Sequence, residues 1–233
     1  MKVLIACEES QAVCKAFREL GHEAYSCDVQ ACSGGHPEWH ITGDALPLIN
    51  GNCEFIVGGG GEKVIINGKW DLLIAHPPCT YLTAAGAMRL YTKDGIIKDY
   101  LRLQKGKDAA VFFMEFLNAD CDRIAVENPI PMKIFGLPPY SQIIEPYEYG
   151  HPFKKKTCLW LKNLPKLIPT DIVDPTGYWV GAHGHNKAKY GMSAGFRDPK
   201  MRSKTFPGIA KAMAEQWSKE SSAQGQISIF EGV

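Results

Sequence analysis

The sequence has no long hydrophobic run, and its positive and negative charges nearly cancel. Its 233 residues include 26 Lys and Arg and 25 Asp and Glu, so the net charge indicates neither a nucleic-acid nor a membrane partner. The longest apolar stretches are strand-length, and the N-terminus lacks the charged start and apolar core of a signal peptide. Eight cysteines without an export signal indicate a reducing cytoplasm rather than a disulfide framework. We therefore expect one cytoplasmic domain with a sizeable core and no membrane partner.

Glycine is also absent from the loop after the first predicted strand. The pattern predicts a strand over residues 2–6 and an amphipathic helix over residues 10–20, with Cys-Glu-Glu-Ser at the junction. Acids near a helix start suit a ligand that carries a sulfonium and an amino group better than a phosphate, which prefers bare amides. Ser10 is a candidate N-cap of the helix. The alternative is that Glu8 and Glu9 only complement the helix dipole.

A second strand is predicted over residues 23–26, and Asp28 follows at its end. An acid in this position of a dinucleotide-type fold accepts hydrogen bonds from ribose hydroxyls, so we expect Asp28 to bind a cofactor. The segment around it holds two cysteines and two histidines, but their spacing does not match the paired spacing of zinc sites. We therefore predict no metal at these four residues, which are Cys27, Cys32, His36 and His40.

Two prolines and a cysteine follow the apolar run of residues 70–75, which predicts a buried strand. In open α/β sheets ligands bind outside the carboxyl ends of the strands, and prolines fix φ and remove backbone donors. We therefore expect Pro77 and Pro78 to hold Cys79 rigidly at the rim of a crevice. This position favours a nucleophilic thiol, and the alternative is an inert buried cysteine.

Another short strand, predicted over residues 123–126, ends in an acid. Glu127 precedes Asn128 and Pro129, and its strand end is expected to face the same crevice as Cys79. A thiolate that adds to a ring carbon needs its electron density absorbed elsewhere, and a carboxyl group bound to a ring nitrogen does this. The pair therefore suits addition to a heterocycle. The alternative is that Glu127 caps a loop or pairs with a lysine.

These segments resemble the cytosine-5 DNA methyltransferase family in a short, phage-like or prophage-like form. The hallmarks of that family are a Pro-Pro-Cys strand end and a later Glu-Asn dipeptide, and their order and distance fit this chain. The resemblance implies a Rossmann-like α/β fold with a mostly parallel central sheet, S-adenosylmethionine as cofactor and DNA as partner. It also implies that Cys79 adds to C6 of a flipped-out cytosine, that Glu127 contacts N3, and that C5 receives the methyl group.

The resemblance extends to other segments. Residues 153–161 occupy the place of a Gln-x-Arg-x-Arg segment, so Lys155 and Thr157 are implied to face the flipped base and its phosphates. Residues 203–217 resemble the closing helix, which returns beside the first strand. The first loop departs from the family, which has Phe-x-Gly-x-Gly there. The cofactor-binding residues implied are Cys7, Glu9, Ser10, Asp28, Gly43, Asp44, Pro77 and Ser203.

The expected organisation is a catalytic domain, a short insertion and a tail. The catalytic domain comprises residues 1–165 and 203–220 and includes a β-hairpin over residues 54–66. Residues 166–202 are basic and lie where the family has its target-recognition region, although an ordinary solvated loop is the alternative. The expected DNA-binding residues are Lys187, Lys189, Arg197, Lys200 and Arg202.

The tail, residues 221–233, combines a flexible polar linker over residues 221–225 with an apolar peptide. Residues 226–230 read Gln-Ile-Ser-Ile-Phe and resemble the bacterial sliding-clamp-binding motif Gln-Leu-Ser-Leu-Phe. A tethered peptide with a polar anchor and two apolar side chains is a recurrent recognition device, which makes Gln226, Ile229 and Phe230 candidate clamp contacts. The alternative is a C-terminal strand that docks on the protein's own sheet.

Three functions stay open at the level of sequence. The first is methylation of cytosine C5 in DNA, because amino-group methyltransferases place an aromatic residue where this chain has Cys79. The second is methylation of a free cytosine nucleotide or of RNA, since the insertion is short. The third is a noncatalytic DNA-binding or clamp-binding protein that has kept the fold, which the glycine-free first loop suggests.

Overall fold

The computed structural model describes residues 1–58, 61–175, 178–179 and 203–219. Helices separate β1 from β2 and β6 from β7 along these ranges, as in an α/β fold. The strands are β1 (Lys2–Ala6), β2 (Glu23–Asp28), β3 (His40–Thr42), β4 (Cys53–Val57), β5 (Glu62–Ile66), β6 (Leu72–Ala75), β7 (Ile124–Pro129), β8 (Gln142–Ile144), β9 (Phe153–Lys154), β10 (Thr157–Lys162) and β11 (Tyr178–Trp179). The α-helices are α1 (Ala12–Glu19), α2 (Ala87–Leu90), α3 (Tyr100–Leu117) and α4 (Pro207–Trp217).

Seven of these strands form the central sheet, in the order β3-β2-β1-β6-β7-β10-β8. All neighbouring pairs are parallel except those of β10, which runs antiparallel to β7 and β8. The chain builds outward from β1 to β3 and then returns to the other side of β1 at β6, which places a topological switch point between β1 and β6. The predicted Rossmann-like α/β fold with a mostly parallel sheet is therefore confirmed.

Both faces of this sheet are covered, as the apolar sequence of β1 requires. Val3 and Ile5 pack with α1 and α4 on one face, where Phe17 is fully buried. Leu4 and Ala6 pack with α3 and the β4–β5 hairpin on the other face. Alternate residues of a strand face opposite sides, so a strand buried on both sides is apolar throughout. Because both faces are covered, a ligand-binding site is expected at the edge of the sheet where the parallel strands have their carboxyl ends.

The first helix begins two residues later than predicted. Gln11 precedes it in a left-handed conformation, with φ of 57°. The free backbone amides in the first turn of the helix are satisfied by Glu8, which accepts hydrogen bonds from the Val13 amide at 2.7 Å and the Cys14 amide at 3.2 Å. The N-cap is Gln11 rather than the predicted Ser10, whose hydroxyl accepts a 3.5 Å hydrogen bond from the Ala12 amide, and Glu8 satisfies the next two amides.

The hairpin and the closing helix agree with the sequence. Strands β4 and β5 pair antiparallel, joined by a glycine-rich turn of which residues 59–60 lie outside the described residues. Helix α4 starts with Pro207 in its first turn, packs against α1, and buries Met213 and Trp217. Leu20 is the last residue of the predicted helix, but it follows the observed helix end and is 46% exposed. No helix within the described ranges is both long and apolar enough to cross a membrane.

Candidate active site

The carboxyl ends of β1, β2, β6 and β7 border a cavity of about 350 Å³. It lies at the switch point of the sheet, where ligands bind in open α/β folds, and it has the size of a small-molecule site. The strand order therefore gathers side chains that are far apart in the sequence. The predicted site residues that line the cavity are Cys7, Glu9, Ser10, Asp28, Pro77, Cys79, Glu127, Lys155 and Ser203.

The loop that carries Cys79 is held at both ends by side chains from other elements. Asn128, at the end of β7, donates its side-chain amide to the Pro77 carbonyl at 2.8 Å. Arg102, in α3, donates from Nη2 to the Thr80 carbonyl at 2.7 Å. Between these anchors Pro77 is buried and Cys79 is partly exposed. The loop therefore presents the thiol of Cys79 from a fixed backbone.

Glu127 is adjacent to His76 because of strand register, and it lines the same cavity as Cys79. Ala75 pairs with Val126 in the parallel β6–β7 ladder, so the next two residues, His76 and Glu127, are neighbours across the strands. The Nδ1 atom of His76 lies 3.4 Å from Oε2 of Glu127. Both side chains are largely buried, with 10% and 17% exposed.

The environment of Glu127 favours its ionised form. Burial alone would raise the pKa of this carboxyl, but the hydrogen bond with His76, the charge of Lys155 and the Thr157 hydroxyl together hold the pKa of Glu127 below its usual value. Glu127 pairs with Leu159 in the antiparallel β7–β10 ladder, which places Thr157 on the same face of the sheet. Thr157 borders a smaller cavity behind Glu127 rather than the main one.

The first loop reaches glycine-like geometry without glycine. Cys7 and Gln11 have φ of 59° and 57°, a left-handed conformation that non-glycine residues rarely adopt. A close approach comes instead from Gly34, where a Cβ atom would lie 2.6 Å from the Ser10 carbonyl oxygen. Burial, with a smaller contribution from Asp28, raises the pKa of Cys7, so this thiol stays protonated. Its backbone therefore shapes the cavity, while its thiol is inert.

Glu9 gives the cavity an unpaired carboxylate. It is 9% exposed, and neither of its carboxylate oxygens makes a hydrogen bond within the part of the chain that the structure describes. Buried carboxylates are normally paired, so this one suits a ligand that brings a positive charge or several donors. Asp28 lies at the end of β2 on the same cavity. The two acids fit a cofactor that carries an ammonium group and ribose hydroxyls.

Gly43 and Asp44 lie near this cavity but do not line it. The Gly43 amide donates to the Asp28 carbonyl at 2.9 Å, which places the dipeptide beside the end of β2. Asp44 is exposed, and its Oδ1 accepts a hydrogen bond from the Leu46 amide. Their predicted role in cofactor binding stays a prediction.

Sequence reasoning missed three contributors to the site. His76 lines the cavity and contacts Glu127, yet only its place between the β6 run and Pro77 could have indicated this. The contacts of Asn128 and Arg102 join residues 51 and 22 positions apart, and no local pattern encodes them. These three side chains position the two residues that the sequence does identify.

The remaining sequence predictions are untested by the geometry. The described residues contain no group of three or more His, Cys, Asp or Glu side chains arranged to hold a metal ion. Two sets of predicted contacts lie outside the described residues: Lys187, Lys189, Arg197, Lys200 and Arg202 for DNA, and Gln226, Ile229 and Phe230 for the clamp.

Of the comparisons with known proteins, the one with solved structures gave matches. No family model and no curated protein matches the chain. Among solved structures, one similar chain is described as a candidate DNA modification methyltransferase encoded within a prophage of E. coli, with 13% identity and a TM-score of 0.41. The match covers 74% of this chain and 51% of the other, so this chain spans about half the length of that neighbour. At this level of similarity the fold assignment rests on the strand order and connectivity described above.

Proposed function

We propose that the protein transfers a methyl group from S-adenosylmethionine to C5 of cytosine in DNA. The observation that carries this proposal is the placement of Cys79 and Glu127 on one cavity, at the carboxyl ends of adjacent parallel strands. A thiol and a carboxyl group on opposite sides of a pyrimidine ring are what addition to C6 requires. A free or flipped-out base is needed, because C5 and C6 cannot be approached from above or below the ring while the base is stacked in a duplex.

Glu9 and Asp28 are the residues proposed to hold the cofactor. The unpaired carboxylate of Glu9 suits its ammonium group, and Asp28 suits its ribose hydroxyls. When bound, S-adenosylmethionine supplies an electrophilic methyl group. The left-handed backbone of Cys7 and the close packing of Gly34 against Ser10 and Gln11 support a cofactor loop that is built without the family's glycines.

Cys79 is the proposed nucleophile. Its thiolate forms a bond to C6, and the electron pair of the C5–C6 double bond moves toward C5 and N3. A proton shared between Glu127 and N3 neutralises the charge that reaches the ring nitrogen. After C5 is methylated, loss of its hydrogen as a proton restores the double bond and expels the Cys79 thiolate, and N3 returns its proton.

Lys155 and Thr157 are proposed to support Glu127. The ammonium group of Lys155 lowers the pKa of that carboxyl, and the Lys155 amide is fixed by a 2.8 Å hydrogen bond to Glu145. Lysine supplies charge without the two-pronged geometry of arginine, so it suits a phosphate or carboxylate as a point charge. In the proposed complex Lys155 faces the flipped nucleotide.

Methyl transfer from labelled S-adenosylmethionine tests the function and the substrate class together. Wild-type protein and Cys79→Ala are incubated with random-sequence duplex DNA, with RNA and with a cytosine nucleotide. Incorporation into DNA that requires Cys79 is the expected result. Incorporation only into RNA or the nucleotide would replace DNA as substrate, and no incorporation by folded protein would overturn the enzyme proposal.

Calorimetric titration with S-adenosylmethionine tests the cofactor site separately. Glu9→Gln removes the charge at nearly constant shape, and we expect it to weaken binding by about tenfold or more, because a buried charged hydrogen bond is lost. Glu19→Gln, an exposed acid at the end of α1, is the matched control. Equal affinity of Glu9→Gln and wild type would contradict the assignment of Glu9.

A further inference from the structure

His76 is fixed beside Glu127 by both its backbone and its ring. Its amide donates to the Ala6 carbonyl at 2.9 Å, so it extends the β1–β6 ladder by one residue. Its Nδ1 atom lies 3.4 Å from Oε2 of Glu127, and the imidazole borders the same cavity as Cys79. The ring therefore sits between the Pro-Pro-Cys loop and the carboxyl group proposed to contact N3.

The second ring nitrogen of His76 is buried and lacks a protein partner. Nε2 makes no hydrogen bond to any of the residues that the structure describes. Buried polar atoms are usually paired, and those that are not often serve a catalytic or ligand-binding role. A histidine whose one nitrogen faces a carboxylate can pass a proton to it along the existing contact, and an unpartnered second nitrogen forms no structural bond that would fix the tautomer.

Charged groups surround this imidazole on two sides. Glu8 lies toward β1; burial raises the pKa of that carboxyl, and the charge of His76 partly offsets the effect. Glu127 lies toward β7, where Lys155 also acts on it. The other charged or titratable groups on the cavity are Cys7, Glu9, Asp28, Cys79 and Lys204. The ring of His76 therefore lies between two buried carboxyl groups.

We propose that His76 is a positioning residue that orients Glu127 and exchanges with it the proton that Glu127 shares with N3 of cytosine. This inference rests on the proposed function. The family resemblance assigns no role to this position, so the role is specific to the contacts seen in this chain.

The proton balance is closed within the site. Protonated His76 gives its Nδ1 proton to the carboxylate of Glu127, which passes a proton to N3 as the Cys79 thiolate adds to C6. His76 is then neutral. When the thiolate leaves, N3 returns its proton to Glu127 and His76 is protonated again. The hydrogen lost from C5 leaves separately to a solvent base, so His76 ends each cycle unchanged.

Two substitutions separate orientation from proton exchange. His76→Asn keeps an amide donor near the Nδ1 position but cannot titrate, whereas His76→Ala loses both functions. We expect His76→Asn to lower kcat at least about tenfold with KM nearly unchanged, and His76→Ala to lower it further. Wild-type kcat should fall where His76 loses its proton, and His76→Asn should lack that fall. A wild-type kcat and pH profile in His76→Asn would overturn the inference.

A matched control is available outside the cavity. His36 also contacts a glutamate through Nδ1, at 2.8 Å from Glu38, but this pair is exposed. His36→Asn should leave kcat and its pH dependence unchanged. If the fall of kcat with pH were lost in both His76→Asn and His36→Asn, the assignment of this fall to His76 would be overturned.

A carboxyl titration provides a readout that does not need activity. Because His76 lowers the pKa of Glu127, ¹³C NMR of labelled glutamate should show the pKa of Glu127 rising in His76→Asn and staying constant in His36→Asn. An unchanged Glu127 titration in His76→Asn would overturn the inference. Absence of methyl transfer by wild-type protein would instead overturn the proposed function, and this titration would still show whether His76 sets the charge of Glu127.

Discussion

The side-chain amide of Asn128 donates to the Pro77 carbonyl across 2.8 Å. This bond joins the residue after Glu127 to the residue two before Cys79, so it links the two strand ends on which the proposed chemistry depends. Arg102 fixes the other end of the same loop through the Thr80 carbonyl. The position of Cys79 relative to Glu127 is therefore set by side chains of neighbouring elements as well as by strand pairing.

Replacing Asn128 should separate the two strand ends. Asn128→Ala leaves the Pro77 carbonyl without its donor, which should lower the free energy of unfolding by about 1–3 kcal/mol. Methyl transfer should fall more than S-adenosylmethionine affinity does. Denaturant unfolding, calorimetry and activity assays check this, with exposed Asn118→Ala as the control. Equal losses of stability and activity in Asn128→Ala and Asn118→Ala would contradict the role of Asn128 in joining the two strand ends.

Replacement of Arg102 by lysine should lower both the stability and the methyl-transfer rate. Its guanidinium group is buried, donates to Thr80 and lies 5.1 Å from the centre of the Tyr81 ring. Lysine keeps the charge but loses the planar fork, so Arg102→Lys should cost about 1–3 kcal/mol of stability and lower the methyl-transfer rate. Lys105 lies over the same ring but is exposed, and Lys105→Gln should change neither quantity. If Arg102→Lys changed neither the stability nor the methyl-transfer rate, the loop would not need Arg102 as an anchor.

Thiol alkylation should distinguish Cys79 from the buried cysteines. Burial raises the pKa of Cys14 and Cys27 to about 12 and that of Cys158 to about 11, so few of these thiols ionise at neutral pH. Cys79 is partly exposed on the cavity. Iodoacetamide followed by peptide mass spectrometry should therefore modify Cys79 well before those three. Faster labelling of Cys14 or Cys158 in folded protein would refute this order.

Glu127 should contribute stability that disappears in acid. The pKa of this carboxyl is below its usual value in the folded protein, so its contribution is present above the unfolded pKa near 4.5 and is lost as pH falls through the folded value. Glu127→Gln should be less stable than wild type at pH 7, and the two should converge at low pH. Denaturant unfolding across pH measures the difference. A constant difference would mean that the carboxylate is not stabilised by its neighbours.

The sequence was most informative where strands end. The apolar runs before Pro77 and Glu127 predict two neighbouring buried strands, and parallel pairing then requires their carboxyl ends to meet. These features depend on local patterns, which a single sequence contains.

Other features depend on contacts that no local pattern records. The left-handed backbone of Gln11 moves the helix start, and Glu8 rather than Ser10 satisfies the amides of the first turn. The partnership of His76 and Glu127 joins residues 51 positions apart and follows only from the β6–β7 register. Gly43 and Asp44 do not line the cavity, because their position depends on how the chain turns after β3.

Covalent trapping on random-sequence duplexes that contain 5-fluorocytosine would detect the proposed bond between Cys79 and C6 of cytosine. Fluorine at C5 cannot leave as a cation, so the adduct between Cys79 and C6 should persist after methyl transfer. We expect a slower band on a denaturing gel that requires both S-adenosylmethionine and Cys79, and that is absent with Cys79→Ala. A folded protein that methylates DNA but forms no such band, or forms it equally with Cys79→Ala, would contradict the proposed mechanism.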